Sequence, residues 1–317
     1  MPLASLIRLL LLAALWGGSY LSMRIAVPVL GALPTAGGRV LLGALGLGLL
    51  VAVQRVPLRF DGKARAALAL GVVNSGIPFA MYALAAQVLP AGYSAILNAL
   101  TPLMGVLLGT LFFGERATLN KLAGVCVGLA GVAVLVRTGP LPVDAAALWG
   151  VAACLLATLC YGLAGYLTQR WIGQRGGLDS RLVALGSQAA AMVLLLPLAV
   201  GALWLHPVPL THITPTVAIA LLALGLLCTA WAYVLYFRLI ADVGALKALT
   251  VTFLIPLFGV LWGWLLLDET VGWAHAAGGA LIALALWLVL RPAPAPRAAA
   301  AASAATATSA STSTSNP

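Results

Sequence analysis

The chain has few charged residues, few histidines and few cysteines. Charged residues make up 8% of its 317 residues, against about 25% in a soluble domain. This deficit excludes an ordinary soluble enzyme and a disordered or fibrous protein. The four cysteines stand singly in apolar runs without a C-x-x-C spacing, which excludes a disulfide scaffold. No nucleophile–base motif, HExxH zinc motif or glycine-rich phosphate loop is present, so we predict no enzyme activity, no cofactor and no metal.

Apolar sequence is abundant instead. Hydrophobic residues make up 63% of the chain, and the mean hydropathy is +1.10. Nearly charge-free runs of about 20 residues recur, each long enough to cross a bilayer core as a helix. We therefore predict an all-α polytopic membrane protein. Its ten transmembrane helices are predicted at residues 6–26, 37–53, 66–87, 92–113, 120–136, 145–168, 182–205, 214–239, 245–267 and 272–290.

The basic residues predict the orientation of these helices. If the N-terminus is cytoplasmic, fourteen of the 17 Lys and Arg residues fall on the inner side, and Arg24, Arg39 and Arg137 fall on the outer side. Such an excess is the positive-inside bias of membrane proteins. Both termini are therefore predicted to be cytoplasmic, in what the composition suggests is a bacterial inner membrane. Residues 292–317, rich in Ala, Ser, Thr and Pro, are predicted to form a disordered cytoplasmic tail.

The two halves of the chain repeat each other. A shift of 154 residues aligns Tyr82 with Tyr236, Pro102 with Pro256 and Glu115 with Glu269 without a gap. The first two helices of each half align only loosely, with Trp16-Gly17-Gly18 opposite Tyr161-Gly162. Because each half has five helices, an odd number, the second half must enter the membrane in the opposite orientation. Inverted repeats of this kind are typical of secondary transporters, with the substrate path between the repeats.

The residues also resemble a known family. The stretch from Trp16 to Tyr20, followed by Arg24 and Arg39, resembles the start of an EamA domain. Residues 99–115 and 253–269 resemble the proline-to-glutamate signature of the same family. The resemblance covers about residues 4–291 and implies the EamA family of the drug/metabolite transporter superfamily. It implies two inverted five-helix EamA repeats, at 4–137 and 145–291, and the export or exchange of small metabolites, often amino acids.

Polar and aromatic residues inside the predicted spans are candidates for a substrate cavity, because such side chains are costly in a bilayer. The alternative interpretations are a hydrogen bond between helices and an aromatic anchor at the membrane interface. The candidates are Trp16, Ser19, Tyr20, Asn74, Tyr82, Tyr93, Asn98, Tyr161, Gln188, Trp231, Tyr233, Tyr236, Thr250 and Thr252.

Two pairs of residues have more specific predictions. Arg24 and Arg39 are predicted at the outer mouth, where they could attract an anionic group. Their alternative roles are snorkelling to the headgroups and stabilising the fold. Pro102 and Pro256 are predicted to bend their helices near the substrate path, and a fixed packing bend is the alternative.

The seven acidic residues all fall in loops or at span ends, whereas a proton relay requires ionisable groups within the membrane. The sequence therefore favours a facilitator or exchanger that moves an amino acid or related amphipathic metabolite by alternating access. A proton-coupled antiporter and, less favoured, a channel or scaffold remain as alternatives. The predicted partners are a small-molecule substrate and the lipid bilayer, without nucleic acid and with a homo-oligomer left open.

Overall fold

The computed structural model describes residues 2–115, 118–138, 144–243 and 251–290. All regular structure in these ranges is helical, and most of it falls into ten consecutive segments. The segments are α1 (Leu3–Leu30), α2 (Ala32–Val53), α3 (Ala64–Ala85), α4 (Ala91–Phe112), α5 (Leu119–Thr138), α6 (Ala145–Trp171), α7 (Ser180–Leu205), α8 (residues 215–243), α9 (Val251–Leu267) and α10 (Trp273–Leu290). Short 3₁₀ turns, Gly173–Arg175 and Leu210–His212, lie in the connections before α7 and α8.

Within the described ranges, seven of the segments are long and apolar enough to cross a membrane, and α5, α9 and α10 contain shorter apolar helices. This confirms the predicted all-helical polytopic membrane protein. The order of the segments agrees with the ten predicted spans. The predicted start of the ninth span and the 292–317 tail lie outside the described residues.

Large apolar side chains on the outside of the bundle are exposed in the protein alone. Leu49 is 66% exposed, and the two tryptophans Trp204 and Trp273 near helix ends are 83% and 77% exposed. A soluble protein rarely shows an apolar surface of this extent, whereas lipid covers it in a membrane. Tryptophans at helix ends are typical of the membrane interface.

Helices α1 and α2 are both longer than predicted. Gly31 ends α1 because it adopts φ = 87°, a conformation that glycine enters without steric cost. Helix α2 then begins at Ala32, five residues earlier than predicted. Pro34 fits there because a first-turn residue has no intrahelical partner for its missing N–H. As a result, Arg39 lies about two turns inside the helix rather than at its start.

The two halves differ at their corresponding prolines. Segment α4 is interrupted at residues 99–100, between helices Ala91–Asn98 and Thr101–Phe112, and Pro102 stands in the first turn of the second helix. Pro256, in contrast, lies inside the uninterrupted helix α9. The repeat therefore places prolines at equivalent positions, but an interruption of the helix accompanies only Pro102.

Helices α3 and α8 share a feature that the sequence did not predict. Each contains π-helical turns, Val72–Gly76 in α3 and Ala223–Trp231 in α8. The shift of 154 residues places the first of these stretches on residues 226–230, inside the second. A π turn holds one more residue than an α turn, so it changes which side chains face the protein interior.

The packing of the helices is symmetric between the halves. Helix α1 packs on α9, and its counterpart α6 packs on α4; α2 packs on α8, and α7 packs on α3. Helix α1 also packs on α8, and correspondingly α6 packs on α3. Further large contacts join counterparts directly: α2 with α7, α4 with α9 and α5 with α10. Exchanging each helix with its counterpart in the other half leaves this pattern unchanged.

Glycines allow the closest of these contacts. A Cβ atom on Gly17 of α1 would lie 2.7 Å from the Phe258 Cβ and 2.8 Å from the Gly259 nitrogen of α9. A Cβ atom on Gly162 of α6 would lie 2.7 Å from the Gly105 nitrogen of α4. Small residues at interhelical contacts let backbones approach closely in membrane proteins. The Gly17 and Gly162 contacts thus join the two halves at corresponding places.

Replacement of Gly162 by Ala is expected to destabilise the fold by about 1–3 kcal/mol, the usual range for overpacking, because backbone atoms of Gly105 and Met104 occupy the space. The measurement is the apparent thermal midpoint of the purified protein. Gly165→Ala on the same helix is the matched control, since a Cβ there meets no atom within 4 Å. Equal midpoints for the two variants would contradict the proposed close contact.

Candidate substrate cavity

A cavity of about 260 Å³ lies between the two halves. Seven of the ten helices contribute to it: α1 to α4 from the first half and α6, α8 and α9 from the second. The described lining is a mixture of aromatic, small polar and apolar side chains with one cation, Arg39. The lining residues are Trp16, Ser19, Tyr20, Met23, Arg39, Asn74, Phe79, Tyr82, Asn98, Thr101, Tyr161, Cys228, Thr229, Tyr233, Tyr236, Val251, Thr252 and Ile255.

Ten of the fourteen cavity candidates named from the sequence lie along this cavity: Trp16, Ser19, Tyr20, Asn74, Tyr82, Asn98, Tyr161, Tyr233, Tyr236 and Thr252. Thr250 lies outside the described residues. Tyr93, Gln188 and Trp231 are described and lie elsewhere. A role of the ten in binding substrate remains a prediction.

The three described candidates outside the cavity, Tyr93, Gln188 and Trp231, each have a defined environment. Tyr93 is fully buried, with its ring 5.0 Å from the ring of His275. Gln188 donates from Nε2 to the Ser75 Oγ at 3.1 Å, which is the interhelical hydrogen bond of the alternative interpretation. Trp231 is 53% exposed on the outside of α8, at the end of its π-helical turns. Trp231 precedes the cavity residue Tyr233 by two positions, and two residues turn a helix by about 200°, so the two side chains lie on opposite faces of α8.

Tyrosines from both halves meet in the cavity wall. The ring of Tyr82 lies 5.3 Å from Tyr20 in an edge-on arrangement and 6.3 Å from Tyr161 in a stacked one. The Tyr82 hydroxyl donates to the Asn98 Oδ1 at 2.9 Å, and this bond is buried. These contacts fix Tyr82, so its ring forms a rigid surface that joins α1, α3, α4 and α6.

A second aromatic pair lies between α1 and α8. The rings of Trp16 and Tyr236 are 5.4 Å apart at an interplanar angle of 51°. Trp16 directly precedes Gly17, just as Tyr161 directly precedes Gly162. Each of the two close crossings between the halves therefore brings an aromatic side chain to the cavity.

Arg39 lines the cavity, and its location near the outer mouth remains a prediction. Its exposed fraction is 6%. The early start of α2 places this arginine about 10 Å along the helix from Ala32. The Arg39 Nε donates to the Thr229 Oγ1 at 3.2 Å, and the guanidinium carbon lies 3.6 Å from the centre of the Phe79 ring.

Arg24, the second predicted outer-mouth residue, has a different environment. Its NH1 group donates to the backbone oxygens of Ala86 at 2.9 Å and Gln87 at 3.4 Å. These oxygens follow the last turn of α3, where carbonyl groups have no partner within the helix. Arg24 thus stabilises the end of α3, which is the fold-stabilising alternative, and it does not line the cavity.

Eight lining residues were not named as cavity residues from the sequence: Met23, Arg39, Phe79, Thr101, Cys228, Thr229, Val251 and Ile255. Most are apolar or small and have no distinguishing pattern in an apolar chain. The repeat offered one indication of further lining residues. The shift of 154 residues aligns the predicted cavity residue Asn74 with Cys228, which is next to Thr229.

Two repeat-related glutamates join helices beyond the cavity. The Glu269 carboxylate, after α9, accepts from the Ala91 nitrogen at 2.8 Å and the Gly92 nitrogen at 3.3 Å, at the start of α4. The Glu115 carboxylate, after α4, accepts from Lys121 Nζ at 2.8 Å and the Tyr166 hydroxyl at 2.7 Å. These hydrogen bonds, the one from Lys121 foremost, lower the pKa of Glu115.

No group of three or more His, Cys, Asp or Glu side chains within the described ranges could hold a metal ion. The absence of a cofactor remains a prediction. Two five-helix halves that meet around a polar and aromatic cavity define an integral membrane protein with the architecture of secondary transporters.

Comparison with known proteins identifies the family. The sequence profile of the EamA-like transporter family matches residues 3–137 and again residues 148–291. The chain belongs to this family.

Individual relatives cover nearly the whole chain. The uncharacterized transporter YoaV of Bacillus subtilis is 23% identical over 86% of this chain and 92% of its own. A protein of Escherichia coli named "probable amino-acid metabolite efflux pump" is 24% identical over 88% of this chain and 92% of its own. A solved crystal structure with 17% identity superposes with a TM-score of 0.59 over 90% of this chain and 96% of that one, which shows a shared fold.

Glu269→Gln is expected to destabilise the protein by about 1 kcal/mol, because charge-assisted hydrogen bonds to the start of α4 become neutral ones. The apparent thermal midpoint measures this effect. Asp268→Asn is the matched control, since Asp268 is exposed and adopts φ = 52°, which asparagine tolerates. A midpoint for Glu269→Gln as high as that of the control would show that the contact adds no stability.

Proposed function

We propose that the protein is a secondary carrier that moves a small metabolite, an amino acid or a related amphipathic compound, by alternating access. The observation that carries this proposal is the cavity between the two halves, with its combination of aromatic faces and small polar groups. Its volume of about 260 Å³ is just below the usual range for small-molecule pockets, which begins at about 300 Å³. Such a cavity suits a compact metabolite with an apolar part.

The symmetric packing supports alternating access. Because the large interhelical contacts have counterparts in the other half, the two halves can exchange their conformations at similar energy. The halves already differ in the described structure, since α4 is interrupted where α9 continues. We therefore infer that the interrupted and continuous forms interchange between α4 and α9 during transport.

The distribution of acidic residues supports facilitated transport or exchange. No carboxylate lines the cavity within the described part of the chain, whereas proton-driven carriers use ionisable relays within the membrane. The Escherichia coli relative is named an efflux pump, and this supports export as the direction. We place the carrier in a bacterial inner membrane, with cytoplasmic termini and repeats at 4–137 and 145–291.

The first test is counterflow in proteoliposomes without an imposed ion gradient. Vesicles preloaded with unlabelled amino acids or amphipathic metabolites receive a trace of the labelled compound. A carrier is expected to produce transient accumulation of its substrate, since exchange needs no external energy.

Two outcomes would contradict this proposal. A flux that does not saturate and shows no trans-stimulation would indicate a channel. Transport that requires a pH gradient and is abolished by an uncoupler would indicate the proton-coupled antiporter.

The cavity aromatics provide a second test. Tyr82→Ala and Tyr236→Ala are each expected to lower the counterflow rate about tenfold or more, because burial of an aromatic face contributes 1–2 kcal/mol or more to binding. The yield of folded protein is measured in parallel.

Trp231→Ala is the matched control, because it removes a similar aromatic area from the outside of α8. Its rate is expected to stay near that of the unsubstituted protein. Unchanged rates in the tyrosine variants would remove these side chains from the transport path, and loss of folded protein would make them structural.

A further inference from the structure

The structure describes the environment of every acidic side chain of the protein, and none of these side chains pairs with Arg39. All seven acidic residues lie within the described ranges, and none is within ion-pair distance of Arg39. Asp242, Glu115 and Asp179 form ion pairs with other basic residues, while Asp144 and Glu269 accept from backbone N–H groups at helix starts. Asp61 and Asp268 are exposed. The cation in the cavity therefore has no counter-ion from the protein's own carboxylate side chains.

The contacts that Arg39 makes are all with uncharged groups. Its Nε donates to the Thr229 hydroxyl, its NH1 lies 4.0 Å from the Met23 sulfur, and its charge faces the Phe79 ring. None of the described residues accepts a hydrogen bond from NH2, the second terminal amino group of Arg39. A guanidinium has five N–H donors in a planar fork that matches a carboxylate. Much of this donor capacity is therefore available to a ligand.

A lone buried cation at this position is costly. The penalty for removing it from water is several kcal/mol, and one hydroxyl and one aromatic face offset only part of it. Among the described lining residues, Arg39 is the one charged side chain. An anion that enters therefore meets this positive centre in a surrounding of low polarity, where electrostatic attraction is strong.

We propose that Arg39 binds the anionic group, a carboxylate, of the transported molecule. The tyrosine and tryptophan rings then receive the apolar part of the same molecule. This inference rests on the proposed carrier function and specifies its substrate class as small amphipathic carboxylates, either anionic or zwitterionic. Arg39 is the residue that sets this specificity.

The test compares two probes of nearly identical shape, 3-phenylpropanoate and 3-phenylpropanamide, on the purified full chain in nanodiscs of neutral lipid. Binding is measured by calorimetry. The carboxylate is expected to bind at least about tenfold more tightly than the amide, because only the carboxylate forms charge-assisted hydrogen bonds. Equal affinities, or no binding of the carboxylate, would overturn the proposal without any substitution in the protein.

Variants of Arg39 locate the effect. Arg39→Gln is expected to weaken carboxylate binding about 10- to 100-fold and to leave amide binding unchanged. Arg39→Lys keeps the charge without the planar fork and is expected to restore part of the affinity. Arg59→Gln, which removes one positive charge from an exposed loop, is the matched control and is expected to bind both probes as the unsubstituted protein does.

A purely structural role for Arg39 predicts a different pattern, in which Arg39→Gln lowers the affinities for both probes equally or for neither. Counterflow is scored separately. Selective carboxylate binding without counterflow of any compound would remove the carrier function and retain the role of Arg39. Counterflow together with equal affinities for the two probes would retain the carrier and remove that role.

Discussion

The structure depends on two close helix crossings, α1 with α9 and α6 with α4. In each crossing, a glycine of one half lies against the backbone of the other half. The residue before that glycine, Trp16 or Tyr161, is an aromatic side chain of the cavity. A backbone exposed to lipid must satisfy its polar groups internally, so the segments that make these contacts are helices. The cavity lies between these helices. A larger residue at either glycine would change both the packing of the halves and the position of an aromatic wall.

Much of the fold was predictable because its signals are strong along the chain. The apolar runs predict the ten segments. The repeat is predicted from Pro102, Glu115 and the residues that a constant shift of 154 aligns with them. Many cavity residues were predictable because polar and aromatic side chains inside apolar helices are rare and costly. The symmetry strengthened this argument for Tyr82 and Tyr236.

The remaining features come from local geometry that apolar patterning does not encode. Helix α2 begins at Ala32, with Pro34 in its first turn, and Arg39 lies about two turns inside it. Trp231 is exposed on the outside of α8, two residues from the cavity residue Tyr233, and residue type alone does not give the helix face. Gln188 found a partner on another helix, Ser75, which the sequence of either helix alone does not reveal.

The uncompensated charge of Arg39 has a consequence for the electrical behaviour of the proposed carrier. An empty cavity carries one positive charge, whereas a cavity that holds a monovalent anion is neutral. A charge that crosses a membrane potential gains or loses about 2.3 kcal/mol per 100 mV. In the proposed carrier, the part of the field that the cavity charge crosses between the two states would therefore act on the empty form and not on the form that holds such an anion. An inside-negative voltage would draw the empty form of the proposed carrier toward its inward-facing state.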